Sequence, residues 1–188
     1  MADPGDLPTL ASRVSAELTA ANIVHAVSGS LALGAFTRPR ATLDADVLIV
    51  TPAIRWPEVF AIARKCGFSG DDRECIASMR ERGHAMMTSG YVSLDLLVPV
   101  LPYHHEVARR AVRRRLEGVD VPLVTPEDLF VLKTLWSRPK DVADLQVLAA
   151  LGDRLDSAYI RQTLDGLLPP DDPRHAEVGR LLAGGSAA

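Results

Sequence analysis

Apolar residues recur at Leu10, Val14, Leu18 and Ala21, the spacing of one helix face, and predict a helix over 7–22. A short apolar run, Ile23 to Val27, predicts a strand that breaks at Ser28-Gly29-Ser30, and a short helix follows over 31–36. Arg38-Pro39-Arg40 reads as a turn. Asp44 to Val50 predicts a second strand stopped by Thr51-Pro52, and Trp56 to Cys66 a helix stopped by Gly67. The stretch from Glu74 to Val98 predicts two or three strands, with turns near Arg82-Gly83 and Ser89-Gly90. Tyr103 to Leu116 reads as helix, Val119 to Val124 as strand, and Thr125-Pro126-Glu127-Asp128 as a helix start with proline in its first turn. Four helical segments follow, punctuated by Pro139, Gly152 and Pro169-Pro170. Residues 1–6 and 184–188 read as frayed ends. The order predicts an α+β protein: a core over 7–124 with a mixed sheet, and a helical region over 125–183 packed on it.

Composition narrows the class. The chain has 188 residues, 47% of them hydrophobic and 24% charged, enough to bury a core without staples and too apolar for a disordered chain. Its net charge of −3 argues against coating nucleic acid by bulk charge, while leaving room for a local basic patch. The two cysteines, Cys66 and Cys75, frame no disulfide scaffold and match no common zinc spacing. No signal peptide opens the chain, and no apolar run is long enough to span a bilayer, so the expectation is a soluble, cytoplasmic protein without a membrane partner. Of the 21 basic residues only Lys65, Lys133 and Lys140 are lysines, in a chain otherwise rich in arginine.

The chemistry concentrates between Val27 and Val50. Gly29-Ser30, after a strand and opening a helix, brings unpaired N–H groups and the positive end of a helix dipole to one spot, where a phosphate binds well. The same pair also makes an ordinary helix cap. Asp44 and Asp46 lie two apart on a strand, so both carboxylates face one side. Two such carboxylates repel unless solvent or a cation neutralises them, and hard oxygen donors suit Mg²⁺ or Mn²⁺. Asp95 lies in an apolar strand, where an unpartnered carboxylate is costly. If that strand adjoins the Asp44 strand, the three acids can hold two metals roughly 3.5–4 Å apart.

Gly29-Ser30, then Asp44-Ala45-Asp46-Val47, is similar to the signature of the polymerase-beta-type nucleotidyltransferase superfamily. Arg38-Pro39-Arg40-Ala41-Thr42 resembles the AbiEii/MenT-like minimal nucleotidyltransferases in particular. So do Val124-Thr125-Pro126-Glu127-Asp128-Leu129 and Arg138-Pro139-Lys140-Asp141-Val142-Ala143-Asp144-Leu145. The resemblance spans residues 23–150 and implies a nucleotidyltransferase fold: a mixed sheet flanked by helices, then a helical C-terminal region. It implies that Gly29 and Ser30 hold the triphosphate of an NTP, that Asp44 and Asp46 bind Mg²⁺, and that Asp95 is a third acid. Arg38 and Arg40 read as further nucleotide-binding cations on phosphate, as residues that fix the loop, or as solvated surface arginines. Lys133 matches a lysine expected on the triphosphate. Asp141 matches an aspartate for which base, metal and positioning roles are all open. Some relatives are toxins of toxin–antitoxin pairs and some modify tRNA 3′ ends.

The reaction implied is transfer of an NMP from an NTP to a hydroxyl with release of pyrophosphate, chemistry that needs positioning and charge neutralisation more than covalent help. The first acceptor to consider is RNA, a tRNA 3′ end, with the enzyme as a toxin held by an antitoxin. Small molecules such as antibiotics, protein hydroxyls, and a non-catalytic NTP-binding module are the alternatives. Arg109, Arg110, Arg113, Arg114 and Arg115, read on one helix, predict a broad positive face for an RNA backbone, for an acidic partner, or merely for solvent. His84, His104 and His105 do not make a zinc pattern, Trp56 and Trp136 read as packing residues, and no Gly-x-Ser-x-Gly elbow surrounds Ser28 or Ser30.

Overall fold

A computed structural model describes residues 6–185. The expected frayed ends fall partly on residues 1–5 and 186–188, outside the described residues. Asp6, expected to fray, instead caps helix α1 (Leu7–Ala20): its carboxylate accepts from the Thr9 N–H at 3.4 Å. The chain divides into two units, 6–35 with 39–124, and 36–38 with 125–185.

The first unit is a six-stranded mixed sheet in the order β3-β4-β2-β1-β6-β5. Strands β1 (Val24–Val27) and β2 (Asp44–Val50) follow the predicted apolar runs and pair antiparallel. Helix α2 (Gly29–Phe36) links them, and α3 (Trp56–Lys65) follows β2. The next segment departs from expectation. Residues predicted to begin a strand near Glu74 form helix α4 (Asp72–Arg82). Asp71 caps its first turn and Gly83, at φ +76°, ends it in the left-handed region, while Cys75 and Met79, one turn apart, are buried together. Both ends and one face are therefore specified by few residues, too few to read as a helical period. Strands β3 (His84–Ser89) and β4 (Val92–Leu97) then form the expected hairpin.

Residues 103–116, expected as one helix, are a helix followed by a strand. Helix α5 (Tyr103–Arg110) ends at Ala111, whose ψ of 134° is extended, and Val112 opens strand β5 (Val112–Leu116). Strand β6 (Val119–Leu123) pairs with it antiparallel. Glu117 and Gly118, at φ +48° and +80°, supply the two left-handed residues of a tight hairpin turn. The ladder to β6 overrides the helical preference of the arginines.

Register assigns the faces. His25 pairs with Ile49 and Val27 with Val47, so His25, Val27, Ala45, Val47 and Ile49 share one buried face, on which α1 packs. Ser15 on α1 bonds His25 across that layer at 2.7 Å. The opposite face carries Asp44, Asp46 and Leu48 on β2 and Ser93, Asp95 and Leu97 on β4.

The second unit is helical: α6 (Pro126–Trp136), α7 (Pro139–Ala149), α8 (Ser157–Leu167) and α9 (Arg174–Gly185), the four segments that the prolines and glycine predict. Thr125 caps α6 through the Asp128 N–H at 3.2 Å. Trp56 is buried, but Trp136 is 44% exposed, with the Arg138 guanidinium 5.2 Å above its ring; it is no core residue. None of the described helices is long and apolar enough to cross a membrane.

Candidate active site

The turn after β1 is held against β2 by a hydrogen bond from the Ser28 N–H to the Asp46 carbonyl, 2.8 Å. Gly29 follows at φ +60°, and a Cβ placed there would run into the Asp46 carboxylate, 2.8 Å from its Cγ. Any larger residue is excluded twice, by backbone strain and by overlap. The glycine therefore brings the first turn of α2 directly against an acid of β2. Arg40 folds back so that its Nη2 donates to Ser30 Oγ at 2.8 Å, which joins a cation and a hydroxyl at the start of the same helix. Arg38 is exposed and lies in the segment grouped with the second unit.

Asp44 and Asp46 are the first and third residues of β2, and β4 runs parallel beside it with Asp46 opposite Asp95 and Asp44 opposite Ser93. The three carboxylates consequently share one face at the middle of the sheet, each half-buried. Thr42 Oγ1 donates to Asp44 Oδ1. Among the described residues no three His, Cys, Asp or Glu side chains are grouped as a ready metal site. The donor type nonetheless fits a hard divalent cation, which takes carboxylate oxygens, and here these lie on one face of adjacent strands.

Lys133 and Asp141 belong to the second unit and meet each other there. The Lys133 ammonium lies 2.6 Å from Asp144 Oδ2 and 3.5 Å from Asp141 Oδ1, and only 6% of the side chain is exposed. Asp141 also accepts from Arg138 Nε at 2.7 Å and from the Arg138 N–H at 3.1 Å. Burial pushes the Asp141 carboxyl up, but its bonds to the Arg138 side chain and backbone, with the charges of Arg138 and Lys133, together outweigh this and leave it below its ordinary value. The expectation of a triphosphate-binding lysine thus meets an ammonium already committed to two carboxylates.

No family model matches this chain, and no curated protein sequence matches it. Its backbone, however, is similar to solved structures. The crystal structure of ANT(2")-Ia in complex with adenylyl-2"-tobramycin matches at a TM-score of 0.53 and 16% identity, over 95% of each chain. An antigenic nucleotidyltransferase-like protein from Paracoccidioides brasiliensis matches at 0.51 and 17% identity, over 95% of this chain and 92% of that one. The fold is that of the nucleotidyltransferases.

On this nucleotidyltransferase fold the arginine run is not one helix face. Arg109 and Arg110 end α5, with Arg109 paired to Glu106 at 2.6 Å. Arg113, Arg114 and Arg115 lie on edge strand β5, so Arg113 and Arg115 share one side and Arg114 takes the other. Each donates to a hairpin carbonyl: Arg113 to Asp120, Arg114 to Arg113 and Arg115 to Gly118. Sequence reasoning missed Asp144, the nearest partner of Lys133. Its signal was present: Asp141 and Asp144 stand three apart in one helix and share a face. Asp128 was missed too; it is fully buried and accepts from Thr125 Oγ1 at 2.8 Å and from the Tyr159 hydroxyl at 2.7 Å.

Proposed function

We propose that this chain transfers a nucleoside monophosphate from an NTP to a hydroxyl acceptor and releases pyrophosphate. The observation that carries the reading is the placement of Asp46 opposite Asp95, with Asp44 on the same face and Asp46 against the left-handed Gly29 that opens α2. In this reading the Gly29 and Ser30 backbone N–H groups, the Ser30 hydroxyl and Arg40 grip the triphosphate at the positive end of α2. Asp44, Asp46 and Asp95 hold Mg²⁺ or Mn²⁺, which supplies charge neutralisation and a more acidic acceptor hydroxyl. The acceptor oxygen attacks the α-phosphorus, the bond to pyrophosphate breaks, and the acceptor proton passes to solvent. Lys133 is assigned to the triphosphate only if it exchanges Asp144 for phosphate, and Asp141 to the positioning of the Lys133 ammonium.

For the acceptor we propose RNA, a tRNA 3′ end, engaged by the exposed arginines of β5 and the end of α5, in a toxin restrained by an antitoxin. A second reading, transfer to a small-molecule hydroxyl, is favoured by the extent of the match to ANT(2")-Ia, whose crystal structure holds adenylyl-2"-tobramycin. One experiment separates them. Purified protein is incubated with Mg²⁺ and each α-labelled NTP, with total tRNA or with an aminoglycoside panel, beside Asp46→Ala. Label on tRNA from the intact protein alone, lost in Arg113→Glu/Arg114→Glu, supports the RNA reading. Label on an aminoglycoside, indifferent to those arginines, supports the second. No label on any acceptor, with Mg²⁺-dependent NTP binding retained, leaves a binding module and sinks the transferase. Growth arrest on induction of the intact protein, absent with Asp46→Ala, tests the toxin role.

A further inference from the structure

At the opposite end of β2 from its acids the first unit opens a cleft of about 800 Å³. Val50, the last residue of β2, lines it, and six residues of strand place it roughly 20 Å from Asp44. The cleft is therefore separate from the proposed nucleotide site.

Its construction is specific. Val98 donates its N–H to the Gly83 carbonyl at 2.8 Å, which ties the chain leaving β4 to the end of α4. Gly83 has no side chain, and Val100 occupies the space that a Cβ would need. Val100 thus forms one apolar wall while remaining 62% exposed, and Met79 and Trp56 line the cleft from α4 and α3. Trp56 is only 8% exposed, and its Nε1–H is the one buried side-chain polar atom without a hydrogen-bond partner among the described residues. Buried donors are nearly always satisfied, so the unpartnered indole N–H of a residue that lines the cleft is a donor in want of an acceptor. Two cations stand at the rim. Arg82 donates to Ser78 Oγ at 2.9 Å, and neither it nor Arg80 forms an ion pair among the described residues. Glu81 and His105 are the other titratable groups lining the cleft.

We propose that this cleft binds a small amphipathic anion, with an aromatic-sized apolar body between Trp56 and Val100 and an acidic group at Arg80 and Arg82. The volume suits one such molecule, and an apolar wall with a few convergent polar groups is the usual form of a ligand site.

The probe is 8-anilinonaphthalene-1-sulfonate, titrated into the full chain on a Trp136→Phe background so that Trp56 is the only indole. The expected result is saturable one-to-one binding that quenches Trp56 emission by energy transfer. Affinity should fall at least about tenfold in Arg80→Glu/Arg82→Glu, and by a similar factor for N-phenyl-1-naphthylamine, which keeps the rings and lacks the sulfonate. Val100→Asp, at an exposed wall position, should abolish binding with the melting temperature unchanged, and it carries the test should the arginine variant fail to fold. Absence of Trp56 quenching, undiminished binding in a folded variant, or equal affinity of the neutral dye would overturn the proposal.

Discussion

A lysine with 6% of its side chain exposed and a carboxylate 2.6 Å from its ammonium is first of all part of the interior. Taking away one member of such a pair leaves the other charge buried without compensation, which costs about 3–5 kcal/mol. Lys133→Met is therefore expected to lose stability of that order in urea denaturation, and Lys133→Met/Asp144→Leu to regain most of it. A double variant as unstable as the single would show that the pair is not the unit. Asp141 keeps its bonds to Arg138 in both variants and so moderates the loss. At Gly29 geometry rather than charge sets the constraint. Its left-handed backbone and the Asp46 carboxylate leave no room for a side chain, so the acid and the start of α2 approach as closely as two elements can.

Among the elements, the β5–β6 hairpin decides where Arg113, Arg114 and Arg115 go. Its two-residue turn needs left-handed backbone at both positions, and Glu117 occupies the first at φ +48° without the local hydrogen bonding that makes asparagine tolerant there. Glu117 is exposed, so replacement forfeits no packing. Glu117→Asn should stabilise the protein by about 0.5–1 kcal/mol, a rise of about 1–4 °C in melting temperature by calorimetry. An unchanged or lower value would mean that the turn is not the strained element. Helix α4 illustrates the converse: the Asp71 cap and the Gly83 terminus enclose a stretch whose composition is mostly polar, and two buried side chains suffice to seat it.

For the molecule as a whole, two histidines set the response to acid. Burial, reinforced by the Arg113 charge against a partial offset from the Ile23 carbonyl, holds His25 below its ordinary value of 6.5. Burial and the neighbouring His105 do the same to His104, whose Nδ1 accepts the N–H groups of Val100 and Leu101 at 3.0 and 3.3 Å. A histidine depressed in the folded state takes up its proton first in the unfolded chain. Stability should thus be level above about pH 7.5 and decline as pH falls through 6.5, until the folded-state values are reached. Asp141, depressed in the folded state, adds its own loss only below about 3.8, its ordinary value, as it becomes protonated. Urea midpoints between pH 8 and 5 check this. His104→Asn, whose amide oxygen still accepts from the two N–H groups, should shallow the decline; an unaltered slope would remove His104 from the account.

What the linear chain carries legibly is whatever depends on neighbours in sequence. The run from Asp44 to Val50, the Gly29-Ser30 break, the Thr125-Pro126 helix start and the four C-terminal segments are local in this sense, because caps, prolines and apolar periods act within a few residues. The Asp-x-Asp spacing likewise placed two carboxylates on one face before any strand pairing was known. The rest required partners distant in sequence. Arg113 to Arg115 have helical preferences and became a strand only because β6 offered a ladder; Trp136 is apolar but ends half exposed over no core. Lys133 was legible as unusual among the arginines, but its pairing with Asp144 depends on how α6 and α7 pack. Asp95 came beside Asp46 through a parallel pairing across nearly fifty residues, and such contacts are decided by tertiary packing because no local interaction specifies their register.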